Sequence, residues 1–313
     1  MTTVVHLHTD VAAALAEGRA VVALESTLIA HGLPRPVNLA TAHAAEDAVR
    51  AAGAVPATVA VLAGRPTVGL TPEQIERLAS GDVRKASRRD LAAAVAQGAT
   101  AATTVAATMA LAHRAGVRVF ATGGIGGVHP AVSHGLPTWD VSADLDELGR
   151  TPVAVVCAGA KNILDLGATL EVLETHGVPV VGYGTDDFPA FYVRSSGLPV
   201  SARVDSPDEA AALLAAHWSL GGAGVVIAQP LPEAVALDPS GFATAWRQAE
   251  ELAREQSVRG AARTPFVLAR LAELTDGRSL AANRELIVAN AALAGRIAVA
   301  LARGGRDADV RDR

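Results

Sequence analysis

Residues 153–184 spell out a β-α-β unit. "VAVVCAG" is an unbroken apolar run ending in small residues, a helical stretch follows at about 162–176, and "VPVVGYG" is a second apolar run. Apolar runs without alternation belong to strands buried on both faces, and two such strands joined by a helix lie parallel with a right-handed crossover. The unit therefore confines the chain to a sheet covered by helices on both sides. Other stretches repeat the theme. "RAVVALEST" at 19–27 and "VRVFATGG" at 117–124 are strands, "TVAVLAGRPTVG" at 58–69 is a strand pair or a strand and turn, and "AGVVIAQP" is a late strand. Helix starts are marked by caps: Thr71 with Pro72 and Gln74, Ser87 with Asp90, Ser206 with Glu209. "ATTVAATMALAHRAG" reads as a helix, and from Gly241 onward the pattern is helical, ending in an Ala-rich helix near 283–303.

Half of the 313 residues are apolar but only 3% are aromatic, so Ala, Val and Leu must fill the core, as when Ala-faced helices lie on Val-rich strands. No composition break and no repeat divides the chain. The expectation is one α/β domain over residues 1–303, with a central, mostly parallel sheet (a mixed sheet is also allowed) and C-terminal helices. Residues 304–313, "GGRDADVRDR", are expected to be a disordered tail. A net charge of −5 offers no basic field for a nucleic-acid polymer. The start, "MTTVVHLHTD", lacks a basic segment before an apolar run, and no stretch approaches ~18 uninterrupted apolar residues, so a cytoplasmic protein without membrane contact is expected. The single cysteine, Cys157, excludes an intrachain disulfide and reads as a small buried residue.

Ligands of open parallel sheets bind beyond the carboxyl ends of the strands. The polar residues there are Glu25, Ser26 and Thr27, the glycine loop after Phe120, Lys161, Thr185 with Asp186, and Gln229, and they should converge. Of the 27 lysine and arginine residues only Lys85 and Lys161 are lysine. Arginine replaces lysine as a surface cation but not as an amine nucleophile, because guanidinium stays protonated. Lys161 follows an apolar strand and a small-residue turn, where a helix is expected to begin. A cation at a helix N-terminus opposes the macrodipole, and desolvation there would favour the neutral amine, so imine formation with a sugar or keto carbonyl is the indicated chemistry rather than a solvated surface charge.

Lys85 in "VRKASRRD" reads either as part of a basic surface turn or, with Arg84, Arg88 and Arg89, as an anion clamp beside a helix start. Glu25 at a strand end is half-buried by pattern and suits general acid–base work, or else pairs with an arginine. "ATGGIGGVHP" at 121–130 does not match G-x-G-x-x-G and opens no helix, so its glycines point to close backbone approach rather than a dinucleotide, with His129 beside them. Asp140 and Asp144 in "TWDVSADLDEL" suit a hard cation such as Mg²⁺ or Mn²⁺ if they converge, or a cap and surface acids if they do not.

Together, "ALESTLIAHGLPRPVN", "VRKASRRDL", "GATAATTVAATM", "FATGGIGGVHP", "DVSADLDEL", "VVCAGAKNILDLGATLEVLETHGVPVVGY" and "TPFVLARLAELTDGRSLAAN" resemble the pseudouridine-5′-phosphate glycosidase, or indigoidine synthase A-like, family over residues 20–300. The resemblance implies a three-layer α/β/α sandwich, a homotrimer, and a lyase of the carbon–oxygen hydro-lyase class. The reaction implied is reversible cleavage of the C–C glycosidic bond of pseudouridine 5′-phosphate to uracil and ribose 5-phosphate. It further implies that Lys161 binds C1′ of the opened ribose and that Glu25 donates protons. Lys85, Val105, Ser142, Ala143 and Asp144 are implied substrate contacts, with His129 and Asn283 near the substrate. Asp140 is the implied Mn²⁺ ligand, the ion being one per subunit, largely completed by waters and replaceable by Mg²⁺ or another divalent ion. The loop "PAVSHGLPTW" is longer than the family pattern, which bears on metal and uracil contacts. An aldolase-type phosphosugar lyase using the same imine, and a non-catalytic sugar-phosphate sensor, are the alternatives.

Overall fold

The computed structural model describes residues 5–130, 139–256, 258 and 263–311. Among them, strands β1 (His6–Leu7), β2 (Val21–Leu24), β3 (Val55–Leu62), β4 (Arg65–Val68), β5 (Arg84–Ala86), β6 (Ala101–Thr103), β7 (Val119–Ala121), β8 (Ala154–Cys157), β9 (Val180–Tyr183), β10 (Ala202–Val204) and β11 (Val225–Ala228) make one sheet. Its main path runs β1-β4-β3-β2-β7-β8-β11-β9-β10. Every step from β3 to β10 is parallel, and antiparallel pairing is confined to β3 with β4 and β6, so the sheet is mixed only at one end.

Eleven helices accompany the strands among the described residues: α1 (Thr9–Ala16), α2 (Val37–Ala51), α3 (Pro72–Ser80), α4 (Leu91–Ala96), α5 (Val105–Arg114), α6 (Ala143–Leu148), α7 (Leu166–Thr175), α8 (Pro207–Ser219), α9 (Pro239–Glu255), α10 (Arg263–Leu274) and α11 (Arg278–Arg311). Successive strand residues feed opposite faces. Val21 and Ala23 of β2, Val155 and Cys157 of β8, and Val226 and Ala228 of β11 join α1, α4, α5, α6 and α7 in one core. Val22 and Leu24, Ala154 and Val156, and Val225 and Ile227 join α2, α8, α9 and α11 in the other. The three-layer α/β/α sandwich thus follows from strands that are apolar at every position.

β3 is the pivot. Val55–Thr58 pair with β2 in the parallel sheet, and Val59–Leu62 pair with β4 across a tight turn at Ala63 and Gly64, both with positive φ. Where β3 changes partners, the Val59 carbonyl accepts hydrogen bonds from Ser26 Oγ at 2.6 Å and Thr103 Oγ1 at 2.7 Å. Ser26 is therefore fully buried in the frame and is not a rim ligand, contrary to expectation.

Three local expectations change. Ala102 and Thr103 belong to strand β6, not to the helix, because β3 and β5 pair with that strand, and the helix begins only after the Thr104 cap. Helix α7 starts at Leu166, four residues later than expected, because Ala160 bridges Ile125, Asp165 bridges Val128, and Asp165 caps the helix through Ala168 N. α11 continues as helix to Arg311 through the segment expected to be a tail; Gly304 and Gly305 cost about 1 kcal/mol each in a helix but do not forbid one. An α11 stretch has mean hydropathy 1.6, enough by length and composition to cross a membrane. Its apolar face is spent inside the chain instead, with Ala282, Leu286, Ala291, Leu293, Ala294 and Ile297 buried in the second core.

Candidate active site

An open cleft lies beyond the carboxyl ends of β2, β7 and β8. Adjacent parallel strands set this up: Leu24 is in register with Ala121, and Ala121 with Val156. The residues just past each strand end are then neighbours. From β2 comes Glu25, from β7 Gly123 and Gly124, and from β8 Lys161 and Asn162. Lys85 enters from β5, and a single π-helical turn, Leu28–Gly32, adds His31. The rest of the wall is apolar: Phe191, Tyr192, Trp246, Leu268 and Ile287, with Asn283 among them, Phe191 and Ile287 packing against the glycines.

Glu25 is half-buried and pairs with no arginine side chain in the described structure; Thr27 Oγ1 donates to one carboxylate oxygen and Thr122 Oγ1 to the other. Lys161 does not begin a helix. It lies in an irregular turn, is solvent-exposed, and its backbone N–H donates to the Ile125 carbonyl at 3.2 Å. The dipole and desolvation arguments for this lysine therefore do not describe its setting; access to the cleft does. Next to it, Asn162 Oδ1 accepts from the Tyr192 N–H at 3.0 Å and ties the turn to the apolar wall. Burial pushes the Tyr192 phenol up, so it stays protonated at neutral pH, and pushes the Cys157 thiol up to about 12, which leaves it an inert core residue as expected.

The turn that delivers Lys161 needs Gly159. Its φ is +81°, and a Cβ there would sit 1.9 Å from the Pro189 carbonyl oxygen. Gly159→Ala is expected to cost about 3 kcal/mol or more from the left-handed backbone and the backbone collision, read as a lowered urea midpoint. An unchanged midpoint would contradict this packing.

The four-cation clamp does not form. Arg84 Nη1 donates to Gln97 at 2.5 Å, Arg88 lies 3.2 Å from the buried Glu147, and Arg89 lies 3.6 Å from Asp90, while Lys85 alone faces the cleft. Strand alternation separates Arg84 from Lys85. Asp140 and Asp144 differ in setting. Asp140 is exposed, whereas Asp144 is buried and accepts from Ala106 N and Gly126 N, each at 2.9 Å. Asp144 thus ties the glycine loop to the start of α5. Val105, the first residue of α5, is buried beside it, and Ser142 caps α6 by accepting from Asp144 N at 3.2 Å, with Ala143 following. His129 N donates to the Asp140 carbonyl at 2.9 Å. So Glu25, Lys85, Lys161 and Asn283 line the cleft, while Val105, His129, Asp140, Ser142, Ala143 and Asp144 gather around the glycine loop and the starts of α5 and α6. Residues 131–138 of the long loop lie outside the described residues.

Two expected rim positions are elsewhere. Asp186 pairs with Arg203 at 2.7 Å and Thr185 closes its own turn on Asp187, because β9 lies two places from β8 in the sheet. Gln229 donates to Asn290 at 3.4 Å and reaches the site only through it. Thr122, His31, Tyr192 and Trp246 were not anticipated. Applying the strand-end rule to the first residue after β7, rather than to the glycines, would have found Thr122.

For a metal, the described residues contain no group of three His, Cys, Asp or Glu side chains. Asp140 is an exposed carboxylate, a hard oxygen donor of the type that suits Mn²⁺ or Mg²⁺ better than a zinc cage.

Residues 10–300 match the family model described as indigoidine synthase A like protein. A protein of Rhodospirillum centenum named pseudouridine-5′-phosphate glycosidase is 60% identical over 298 residues, 95% of this chain and 92% of its own. A protein of the same name from Herpetosiphon aurantiacus is 57% identical over 294 residues, 93% of this chain and 96% of its own. Among solved structures, the prealnumycin C-glycosynthase AlnA in complex with ribulose 5-phosphate matches with TM-score 0.89 and 41% identity, covering 98% of this chain and all of that one. An indigoidine synthase A-like protein of Thermotoga maritima matches with TM-score 0.85 and 34% identity, covering 96% of this chain and 97% of that one.

Proposed function

We propose that this chain, which belongs to the indigoidine synthase A-like family, is a pseudouridine-5′-phosphate glycosidase, a lyase that reversibly cleaves the C–C glycosidic bond of pseudouridine 5′-phosphate to uracil and ribose 5-phosphate. The observation that carries the residue roles is that Lys161 and Glu25 line one cleft, from the ends of β8 and β2 on either side of β7. A carbon leaving group is hard to expel from an intact ribose ring, and an amine at C1′ supplies the electron pair that expels it. In the proposed sequence the C1′–O4′ bond breaks and O4′ takes a proton from Glu25, while the neutral Lys161 nitrogen bonds C1′ and then gives up a proton to the Glu25 carboxylate, which regenerates both the nitrogen lone pair and the acid. Uracil C5 then takes a proton as the C1′–C5 bond breaks, its electron pair going to C5 and the nitrogen pair forming the C1′ imine. Water hydrolyses the imine, releasing ribose 5-phosphate and the amine. Glu25 is the proton donor at O4′ and then at C5, its carboxyl held by the two threonine hydroxyls.

Lys85 is the charge for the 5′-phosphate. Lys85→Ala is expected to raise KM for pseudouridine 5′-phosphate by about 10- to 100-fold with a smaller change in kcat, the worth of one hydrogen bond to a charged group. With unphosphorylated pseudouridine the same substitution should change little, and an equal loss on both substrates would remove Lys85 from phosphate binding.

Asp140 would hold the Mn²⁺ ion, which when bound supplies fixed positive charge to the site. The protein works on small molecules, as a homotrimer in the cytoplasm. The direct test is uracil release from pseudouridine 5′-phosphate, with ribose 5-phosphate formed in equal amount, in Mn²⁺ and after chelation. Uracil release that falls on chelation and returns with Mn²⁺ is the expected result. Cleavage within the sugar would favour an aldolase-type lyase, and binding without turnover a sensor.

A further inference from the structure

We propose that Thr122 is a positioning residue for Glu25 and that the buried Asn290 of α11 holds it in place. The proposal rests on Glu25 as the proton donor and deepens that reading. Glu25 and Thr122 meet because β2 and β7 are adjacent and in register, so the first residue past each strand faces the other. Thr122 is 3% exposed and lies behind the carboxyl, lining a small cavity with Glu25 and Thr58 rather than the main cleft. It touches Glu25, not the space for substrate.

The terminal torsion of a glutamate is intrinsically broad. Here one hydroxyl donates to each oxygen, Thr122 to Oε1 and Thr27 to Oε2, and this pair of opposed donors selects one orientation of the carboxyl plane. Each oxygen keeps a second lone pair to give or take a proton. The Thr122 hydroxyl can hold its place only if its backbone does. Thr122 N donates to the Val156 carbonyl of β8 at 3.0 Å. Its own carbonyl, and that of Gly123, accept from Asn290 Nδ2 at 2.9 and 3.4 Å. Asn290 is 1% exposed in the middle of a long helix, where a buried amide is costly unless bonded. Its partners are the two carbonyls just past the end of β7, and its oxygen accepts from Gln229 past the end of β11. The amide therefore locks the β7 end to α11, and Thr122 carries that rigidity to Glu25.

The test is a double-mutant cycle read in kcat, KM and thermal midpoint, with Thr122→Val and Thr122→Ser made alone and in a Glu25→Gln background. Thr122→Val is expected to lower kcat by about 10- to 100-fold with KM within about threefold, since it removes a donor to a charged group. Thr122→Ser should restore kcat to within about threefold, because it keeps the hydroxyl. In the Glu25→Gln background Thr122→Val should cause no further loss of kcat. Equal losses in both backgrounds, or a kcat for Thr122→Val within about threefold of the parent, would overturn the proposal. If Thr122→Val does not fold, Thr122→Cys keeps the size with a weak donor and carries the same comparison. Failure of the Glu25 reading is seen separately, as parent-like turnover by Glu25→Gln alone.

Discussion

Lys161→Ala abolishes uracil release, with an expected loss in kcat on the order of 10⁴- to 10⁶-fold, the scale seen when a covalent nucleophile is removed. Lys161→Arg fails equally, although it keeps the positive charge, because a guanidinium stays protonated and offers no lone pair to C1′. That equality matters, since a lysine serving only as a charge would be rescued by arginine. The amine's place supports the prediction: it is exposed in the cleft on a turn pinned by Ile125, Asn162 and Gly159, so its loss should leave the fold intact. Ribose 5-phosphate added with borohydride should leave an adduct that maps to Lys161 and is missing in both variants. If Lys161→Ala traps the sugar as well as the parent does, the covalent role is wrong.

Glu25→Gln is the second large effect, about 10²- to 10⁴-fold in kcat, the range for a positioned general acid. The amide matches the carboxyl in shape, and the two threonine hydroxyls can rotate, one accepting from the amide NH₂ and one still donating, so stability should be nearly unchanged. Trapping separates the roles of the two residues. Free ribose 5-phosphate already presents an aldehyde in its open form, so Glu25→Gln should still form the borohydride adduct at Lys161 while failing to release uracil. A variant with kcat within tenfold of the parent would remove Glu25 from the proton transfers.

Some of this site was legible without coordinates, and for a definite reason. The strand-end rule depends only on where apolar runs stop, and it placed Glu25, Thr27, the glycine loop and Lys161 on one rim, where they are found. The scarcity of lysine singled out Lys85 and Lys161, and both line the cleft. The same rule failed for Ser26, Thr185 and Asp186, because it says nothing of strand order or of local needs. Ser26 serves the carbonyl freed where β3 changes partners, and Asp186 belongs to a strand too far along the sheet. Asp140 and Asp144 share a spacing that allows convergence, yet one carboxylate is drawn inward by the unpaired N–H groups of Ala106 and Gly126.

By itself the sequence determined the class of architecture, the helix caps and the kinds of reactive group available. Those properties depend on residues a few positions apart: the burial of an apolar run, a threonine three residues before the N–H it caps, an amine that arginine cannot replace. Only the tertiary structure decided which groups meet. Thr122 lies 97 residues from Glu25, and Asn290 lies 168 from the carbonyl it holds. Their bonds exist because β2 and β7 are adjacent and α11 crosses their ends. A hydrogen bond works over about 3 Å, and which distant residues come that close is set by strand order and helix docking, not by any local pattern.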